Sequence, residues 1–297
     1  MEFELISLKH QIEAQKYLCA TPYWLSEASF TSLFLWGEVY QTEVAFQDNL
    51  LFVRTGHPGE QAYLFPVGHG DLKHGLELIR ADAKSLGIEP KLIAVTDHMR
   101  ERLESIVPNT FHYTPMRDNF DYIYDSQELA TLPGKKFHQK RNHLNRFMKE
   151  YEGRFCYEPI TEENLNEVIA FQQKWLEQNS VGDKAEGVLR EAEVLKRLFD
   201  HYFVLKPIGG LIRIDGQVAA YSVGTRLCQY TALVQMEKGD INYHGIYQAM
   251  NQQFVLHNFM DALYINREDD TGAEGLRRAK LSYQPKFLLR KYVAQWK

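Results

Sequence analysis

The segment Tyr264–Pro285 constrains the fold of this 297-residue chain more than any other stretch. It begins as a short apolar strand and then breaks into the polar run Asn-Arg-Glu-Asp-Asp at residues 266–270. Ligands of open α/β sheets bind outside the carboxyl ends of strands, so this density of ionisable groups indicates a ligand site at the end of a sheet. The alternative is a solvated loop that connects two elements.

A second polar segment, residues 134–151, is basic and has helical spacing. Its apolar residues Phe137, Leu144, Phe147 or Met148, and Tyr151 fall on one face of a helix, which leaves the lysines and arginines around the rest. Residues 131–155 carry a charge of +5 and residues 274–297 a charge of +6, although the whole chain carries −5. Such an uneven distribution favours a phosphate-rich partner, and internal pairing with acidic neighbours is the alternative.

Together the two segments resemble the soluble C-terminal catalytic domain of the phosphatidylglycerol lysyltransferases and its stand-alone bacterial relatives. The first has the pattern Lys-Lys-x-x-x-Lys-Arg-Asn-x-x-Asn-x-Phe at residues 135–147. The second has Asn-Arg-Glu-x-Asp-x-Gly-x-x-Gly-Leu-Arg-x-x-Lys-x-Ser-Tyr-x-Pro at residues 266–285. The resemblance covers most of the chain and implies an α+β or α/β fold. It predicts two GNAT-like (acyl-CoA N-acyltransferase-like) domains in tandem, each a mixed central sheet flanked by helices.

Local signals describe two halves with a similar order of elements. Hairpin turns are predicted at residues 48–49 and 215–216, each between two apolar runs. Helical periodicity covers residues 72–86 and 245–259. The repeated order of hairpin, strand, helix and strand suggests an old duplication.

These signals place an N-terminal GNAT-like domain at residues 1–130 and a basic connecting helix at residues 131–152. A C-terminal GNAT-like domain that carries the active site then covers residues 153–297. Residues 121–124 are predicted as the last strand of the first half, and residues 287–296 as the strand that closes the second sheet.

Composition narrows the class of protein. Three cysteines without a C-x-x-C pair, and histidines without zinc spacing, predict a reduced protein with no metal site. The N-terminus lacks a signal-peptide pattern, and no apolar stretch approaches the roughly 20 residues that span a bilayer. We therefore expect a cytoplasmic protein without a transmembrane segment, which at most contacts anionic lipid peripherally. This departs from the full-length lipid lysyltransferases, whose membrane-spanning half is part of the family pattern.

The resemblance to GNAT folds also implies a phosphate-binding turn between a strand and the following helix. The corresponding pattern here is Asn242-x-x-Gly245-x-Tyr247, where the acetyl-CoA version has Arg/Gln-x-x-Gly-x-Gly/Ala. Asn242 and Gly245 are the candidate phosphate ligands. The bulky Tyr247 argues against a standard site for coenzyme A or acyl-CoA, the candidate cofactor, and favours an aminoacyl-tRNA or another phosphate-bearing donor.

Acyl transfer needs a base and a group that stabilises the oxyanion. Glu237 and Lys238, at one strand end, can supply the base and the electrophile. Glu268 and Asp269 are alternative bases, and Tyr283 is a candidate hydrogen-bond donor.

The remaining candidates bind substrate or phosphate, and several are arginines suited to bidentate contacts. The alternative for Arg141, Asn142 and Asn145 is a structural role in capping or cross-linking. The candidates are Asn266, Arg267, Arg277 and Lys280 in the second motif, and Lys135, Lys136, Lys140, Arg141, Asn142 and Asn145 in the basic segment.

The first functional hypothesis is a transferase that moves an acyl or aminoacyl group to an amine or hydroxyl acceptor. A rival within enzymes is an acyl-CoA-dependent N-acyltransferase. The rival of another class is a non-catalytic module that binds tRNA or anionic lipid through the basic helix.

Overall fold

The computed structural model describes residues 1–20, 24–180 and 185–297, which form two compact units. The units interleave along the chain, whereas the sequence analysis divided it linearly at residues 131–152. Unit 1 comprises Met1–Tyr122, Glu268–Arg277 and Leu288–Lys297, and unit 2 comprises Ile123–Arg267 and Arg278–Phe287.

Each unit is a sheet flanked by helices, as predicted. The strands are β1 (Glu4–Leu5), β2 (Glu43–Gln47), β3 (Leu50–Thr55), β4 (Ala62–Leu64), β5 (Val67–Gly68), β6 (Lys91–Thr96), β7 (Phe111–Pro115), β8 (Asp121–Asp125), β9 (Phe155–Pro159), β10 (Ile208–Ile214), β11 (Gln217–Cys228), β12 (Thr231–Gly239), β13 (Tyr264–Asn266), β14 (Phe287–Leu289) and β15 (Lys291–Trp296). The helices are α1 (Gln11–Ala20), α2 (Phe30–Trp36), α3 (Leu72–Leu86), α4 (Asp97–Ile106), α5 (Ser126–Thr131), α6 (His138–Glu150), α7 (Leu165–Asn179), α8 (Ala185–Asp200), α9 (Tyr202–Leu205), α10 (Ile246–Asn258) and α11 (Glu274–Leu281). None of the described helices is long and apolar enough to cross a membrane.

The sheet of unit 1 has the strand order β1-β2-β3-β4-β6-β15-β7, with β5 paired to β3. β4 and β6 run parallel, and α3 lies between them in the chain. The last strand, β15, lies inside this sheet and pairs antiparallel with both β6 and β7. The prediction that residues 287–296 close the second sheet is therefore wrong for β15, because its backbone partners belong to unit 1.

The sheet of unit 2 has the order β14-β8-β13-β12-β11-β10-β9. β12 and β13 are parallel, and α10 forms the crossover between them. β8, predicted as the last strand of the first half, instead pairs antiparallel with β13. Its apolar residues are buried in this position, which sequence spacing alone could not assign to one sheet or the other.

The local turn predictions are confirmed. Asp48 and Asn49 have φ values of 51° and 57°, and Asp215 has a φ of 51°. Such left-handed values match the two-residue hairpin turns that join β2 to β3 and β10 to β11. Gly87, with a φ of 70°, ends α3 and donates its backbone N–H to carbonyls of the last turn.

A buried lysine fixes β15 in unit 1. Lys291 is 1% exposed and lies 2.7 Å from the Glu27 carboxylate and 2.8 Å from that of Asp121. Burial acts to lower the pKa of Lys291, but the two carboxylates outweigh it and leave the pKa raised. The lysine therefore stays charged and ties the C-terminal strand to residues far away in the sequence.

Asp270 organises a second ion-pair cluster in unit 1. Its carboxylate is fully buried and accepts hydrogen bonds from Arg277, Arg117 and the Tyr122 hydroxyl. Burial acts to raise the pKa of Asp270, but these donors, led by Arg277, outweigh it and hold the pKa well below its usual range. Asp270 thus fastens the segment that follows β13 to the rest of unit 1.

We expect Asp270→Asn to lower the free energy of unfolding by about 2–3 kcal/mol at neutral pH, since it removes the buried partner of two arginines. The folded carboxyl has the lower pKa, so its contribution is present above the unfolded value of about 4 and is lost as pH falls. Chemical denaturation of the variant and of the unsubstituted protein should be measured from pH 7 to pH 3. The difference between their free energies of unfolding should become smaller as the pH falls.

Asp118→Asn is the matched control, because Asp118 binds the same Arg277 but is 63% exposed. Its effect should stay within about 0.5 kcal/mol. Equal effects of the two substitutions, or a difference that widens toward acid, would show that Asp270 does not anchor this segment.

Candidate functional site

The candidate site of unit 2 lies where two parallel strands separate. β12 pairs with β13 from Thr231 opposite Tyr264 to Leu233 opposite Asn266. β13 then ends, whereas β12 continues to Gly239. Side chains on the last part of β12 therefore lie near the carboxyl end of β13, which is where α/β sheets bind ligands.

Glu237 and Arg267 form a largely buried ion pair at this point. The Arg267 Nη2 donates to Glu237 Oε1 over 2.9 Å, and the side chains are 12% (Glu237) and 13% (Arg267) exposed. The second carboxylate oxygen, Oε2, is buried and has no hydrogen-bond partner among the described residues. Arg267 thus orients the carboxyl group and leaves one oxygen available to a donor.

Arg267 stays protonated in this position. Burial acts to lower the pKa of its guanidinium, but the Glu237 carboxylate outweighs burial and leaves the pKa raised. The guanidinium carbon lies 5.8 Å from the centre of the Tyr124 ring and 5.1 Å from that of Tyr283, within range of cation–π attraction. Arg267 is therefore a fixed cation between two aromatic rings.

Lys280 and Tyr283, both predicted site residues, complete the surroundings of Arg267. The Lys280 Nζ donates to the Arg267 carbonyl over 2.6 Å, and the Tyr124 hydroxyl donates to the Lys280 carbonyl over 2.8 Å. Burial raises the pKa of the Tyr283 hydroxyl, which is therefore a neutral phenol. The structure thus brings Glu237, Arg267, Lys280 and Tyr283 together in unit 2.

Lys140 adds a second cation to this cluster, although the sequence suggested it as a surface contact for tRNA or lipid. Its Nζ lies 4.2 Å from the centre of the Tyr283 ring. Burial, and then the nearby Arg267 cation, lower the pKa of Lys140. The two cations and the Glu237 carboxylate can bind a group that carries both a proton to release and a developing negative charge.

Lys238 lies elsewhere, because successive side chains of a strand point to opposite faces. Its Nζ donates to Glu191 over 2.6 Å and lies 4.3 Å from the centre of the Trp175 ring. The structure therefore does not bring Lys238 to Glu237 as the electrophile that the sequence suggested.

Three further residues of the second motif belong to unit 1. Glu268 and Asp269 line a cavity of about 560 Å³ in that unit, and their role as alternative bases stays a prediction. Arg277 already binds the carboxylates of Asp270 and Asp118, each at 2.7 Å. These contacts give Arg277 a structural role, and its binding of phosphate stays a prediction. Asn266 also belongs to the second motif, but it lies in unit 2, at the end of β13, where it is fully buried.

The basic segment combines local contacts with an exposed surface. Lys136 pairs with Glu128 over 2.7 Å, and Arg141 donates to the carbonyls of Leu132 and Gly134. These contacts fit the structural alternative that the sequence left open for Arg141. The exposed candidates are Lys135, Lys136, Asn142 and Asn145, and of these Lys136 is the one paired with Glu128.

The turn predicted to bind phosphate is occupied by protein groups. The Asn242 side chain donates to Asp240 over 2.8 Å, which puts a carboxylate into the turn. Gly245 has a φ of 83°, and a Cβ there would lie 2.6 Å from the His143 carbonyl oxygen. The glycine is thus needed for close packing of α6 on α10, and the turn fits a pyrophosphate poorly. Phosphate binding by Asn242 and Gly245 stays a prediction.

Sequence reasoning missed Tyr124, Trp175 and Glu191, which contact the charged residues of β12 and its surroundings. Tyr124 had a signal, because it lies in the apolar run of residues 122–124, which the sequence predicts as a buried strand. Trp175 and Glu191 lie on α7 and α8, and nothing in the local pattern connects them to Lys238.

The model of the family described as phosphatidylglycerol lysyltransferase, C-terminal, matches residues 21–295. The chain belongs to this family. Its matched region includes every residue of the unit 2 cluster described above. The resemblance suggested by the two motifs is thereby confirmed.

Known structures agree with this assignment. A conserved protein of unknown function from Bacteroides thetaiotaomicron is 35% identical, with full coverage of both chains and a TM-score of 0.94. The L-PGS from Bacillus licheniformis is 16% identical, covers 89% of this chain and 85% of its own, and has a TM-score of 0.62. FemX, at 10% identity, covers 100% of this chain and 98% of its own with a TM-score of 0.51. The last two similarities concern the fold alone, and the predicted tandem GNAT-like architecture is confirmed.

An uncharacterized protein of Mycoplasmoides gallisepticum is 30% identical over 177 residues, or 59% of this chain. This chain spans 56% of the length of that relative.

We expect Arg267→Gln to raise the pKa of Lys140, because it removes a cation that repels the protonated amine. Mass spectrometry can follow the labelling of Lys140 by an amine-specific reagent as a function of pH. At a fixed neutral pH the variant should react more slowly, since less of the amine is deprotonated.

Arg278→Gln, which changes an exposed arginine of the same unit, is the control and should leave the labelling profile unchanged. An identical profile in Arg267→Gln and the unsubstituted protein would contradict the arrangement of the two cations.

Proposed function

We propose that this protein is a transferase that moves an aminoacyl or acyl group to an amine or hydroxyl acceptor, with Glu237 as the general base. The observation that carries the proposal is the geometry of Glu237. One carboxylate oxygen is held by Arg267, and the other is buried without a partner among the described residues. A buried acceptor without a donor costs free energy, which a substrate N–H or O–H would recover.

The proposed reaction is a simple acyl transfer. The acceptor nitrogen or oxygen attacks the activated carbonyl carbon, and Glu237 Oε2 takes its proton. The carbonyl electrons move to oxygen, and Lys140 and Arg267 stabilise this negative charge. The intermediate then collapses, the bond to the donor breaks, and the proton passes from Glu237 to the leaving oxygen or sulfur.

An aminoacyl-tRNA is the donor that we favour. The family is named for a lysyltransferase, and the exposed Lys135, Asn142 and Asn145 accompany the basic helix α6. Contacts of basic side chains with RNA phosphates would make donor binding weaken steeply as salt increases. The turn at Asn242 and Gly245 is occupied by protein groups, so it gives no support to coenzyme A as the donor.

We expect Glu237→Gln to reduce turnover by about 100-fold or more and to leave donor binding within about threefold. The purified protein would be incubated with a labelled pool of aminoacyl-tRNAs and an acceptor panel of phosphatidylglycerol vesicles, alkylamines and peptides. Transfer of label measures turnover, and filter binding at low and high salt measures donor affinity.

Glu152→Gln is the control, because Glu152 is an exposed carboxylate of the same unit. It should retain full turnover. Full turnover in Glu237→Gln would exclude Glu237 as the base. Salt-dependent binding of tRNA or lipid without turnover, in a parallel assay that also includes acyl-CoA donors, would instead identify a binding module.

A further inference from the structure

Unit 1 contains a cavity of about 560 Å³ against one face of its sheet. Val53, Leu64 and Ile93, from the adjacent strands β3, β4 and β6, line it, together with Leu33 and Trp36 of α2. Small-molecule sites typically enclose about 300–1,000 Å³ with mostly apolar walls and a few polar groups. The cavity thus has the size and lining of a ligand site.

The backbone around this cavity is strained. Ala94 of β6 has a φ of 54°, next to a break in the register between β6 and β15. Glu268 and Thr271, which also line the cavity, have φ values of 58° and 48°. Such residues each cost about 1–3 kcal/mol and concentrate at binding sites. Strand irregularities are likewise common beside such sites.

The charges of the lining favour a cation. Glu60, Glu268 and Asp269 contribute carboxylates, whereas Lys91 contributes the positive charge. Glu27 also lines the cavity and pairs with the buried Lys291, and one oxygen of Asp269 accepts the Thr271 N–H. Negative charge in a concave, low-dielectric site attracts cations and repels anions.

Two aromatic rings of the lining also favour a cationic ligand. Trp36 and Tyr40 stack with ring centres 5.6 Å apart and an interplanar angle of 25°, and both line the cavity. Tyr40 is 46% exposed, so part of this pair faces solvent. Aromatic faces attract ammonium groups, and apolar walls favour a ligand with a hydrocarbon body.

We propose that this cavity binds an organic cation, namely a primary amine carried on an alkyl or aryl group. The carboxylates neutralise the ammonium group, and the apolar residues of β3, β4, β6 and α2 enclose its hydrocarbon part. An inorganic cation would leave the apolar walls unused, and an anion would meet the carboxylates. The proposal does not rest on the proposed transfer reaction, since that cluster lies in unit 2 and the present test measures binding alone.

Isothermal titration calorimetry with phenethylamine, phenethyl alcohol and 3-phenylpropionate tests the proposal on the full chain. The three probes share a phenyl ring on a short alkyl chain and differ in the charge of the end group. We expect the amine to bind, the alcohol to bind about tenfold more weakly, and the carboxylate to show no binding at about 1 mM. The heat capacity change should be negative for the amine, because apolar surface is buried.

Two substitutions locate the site. Asp269→Asn keeps an oxygen that can accept the Thr271 N–H but removes the charge, and it should weaken amine binding about fivefold. Leu64→Trp fills part of the cavity without changing its charge, and it should weaken the amine and the alcohol alike. Glu101→Gln, an exposed carboxylate outside the lining, should have no effect.

The proposal is overturned if the amine does not bind at about 1 mM or if the alcohol or the carboxylate binds equally well. It is also overturned if Asp269→Asn and Leu64→Trp, shown to be folded by circular dichroism, keep the affinity of the unsubstituted protein.

Discussion

A parallel pair of strands in each sheet is the constraint on which both candidate sites depend. Parallel strands cannot be joined by a tight turn and need a crossover, which α3 provides between β4 and β6 and α10 between β12 and β13. In unit 2 the pairing of β12 with β13 stops after three residue pairs, and the Glu237–Arg267 ion pair forms beyond that point. In unit 1 the cavity lies against β4 and β6. Both candidate sites thus lie where a sheet stops being regular.

The two sites differ in electrostatic character, and this difference suggests different tasks. The unit 2 cluster pairs one carboxylate with Arg267 and has Lys140 over the neighbouring Tyr283 ring, so it combines a proton acceptor with two cations. The unit 1 cavity has an excess of carboxylates and an aromatic pair, so it suits a positively charged molecule. The two sheets, each with one parallel pair of strands, thus carry two kinds of polar lining.

Features that depend on neighbouring residues were predictable from the sequence, and those that depend on distant pairing were not. The turns at Asp48 and Asp215 require residues that tolerate left-handed backbone, and the sequence shows these directly. The Glu237–Arg267 pair joins residues 30 positions apart, and the motif revealed only that polar groups cluster near the end of β13. Lys238 likewise combines a feature that neighbouring residues determine with one that depends on distant pairing. Strand alternation predicts that it points away from Glu237, but only the folded chain shows Glu191 as its partner.

The position of β15 inside the first sheet has a consequence for synthesis on the ribosome. The N-terminal residues of unit 1 emerge first, yet their sheet lacks an interior strand until residues 291–296 leave the exit tunnel. Most of unit 2 emerges earlier than that strand. Residues 1–122 are thus made before the strand that completes their sheet, and in the interval β6 and β7 present unpaired edges that invite association with other chains.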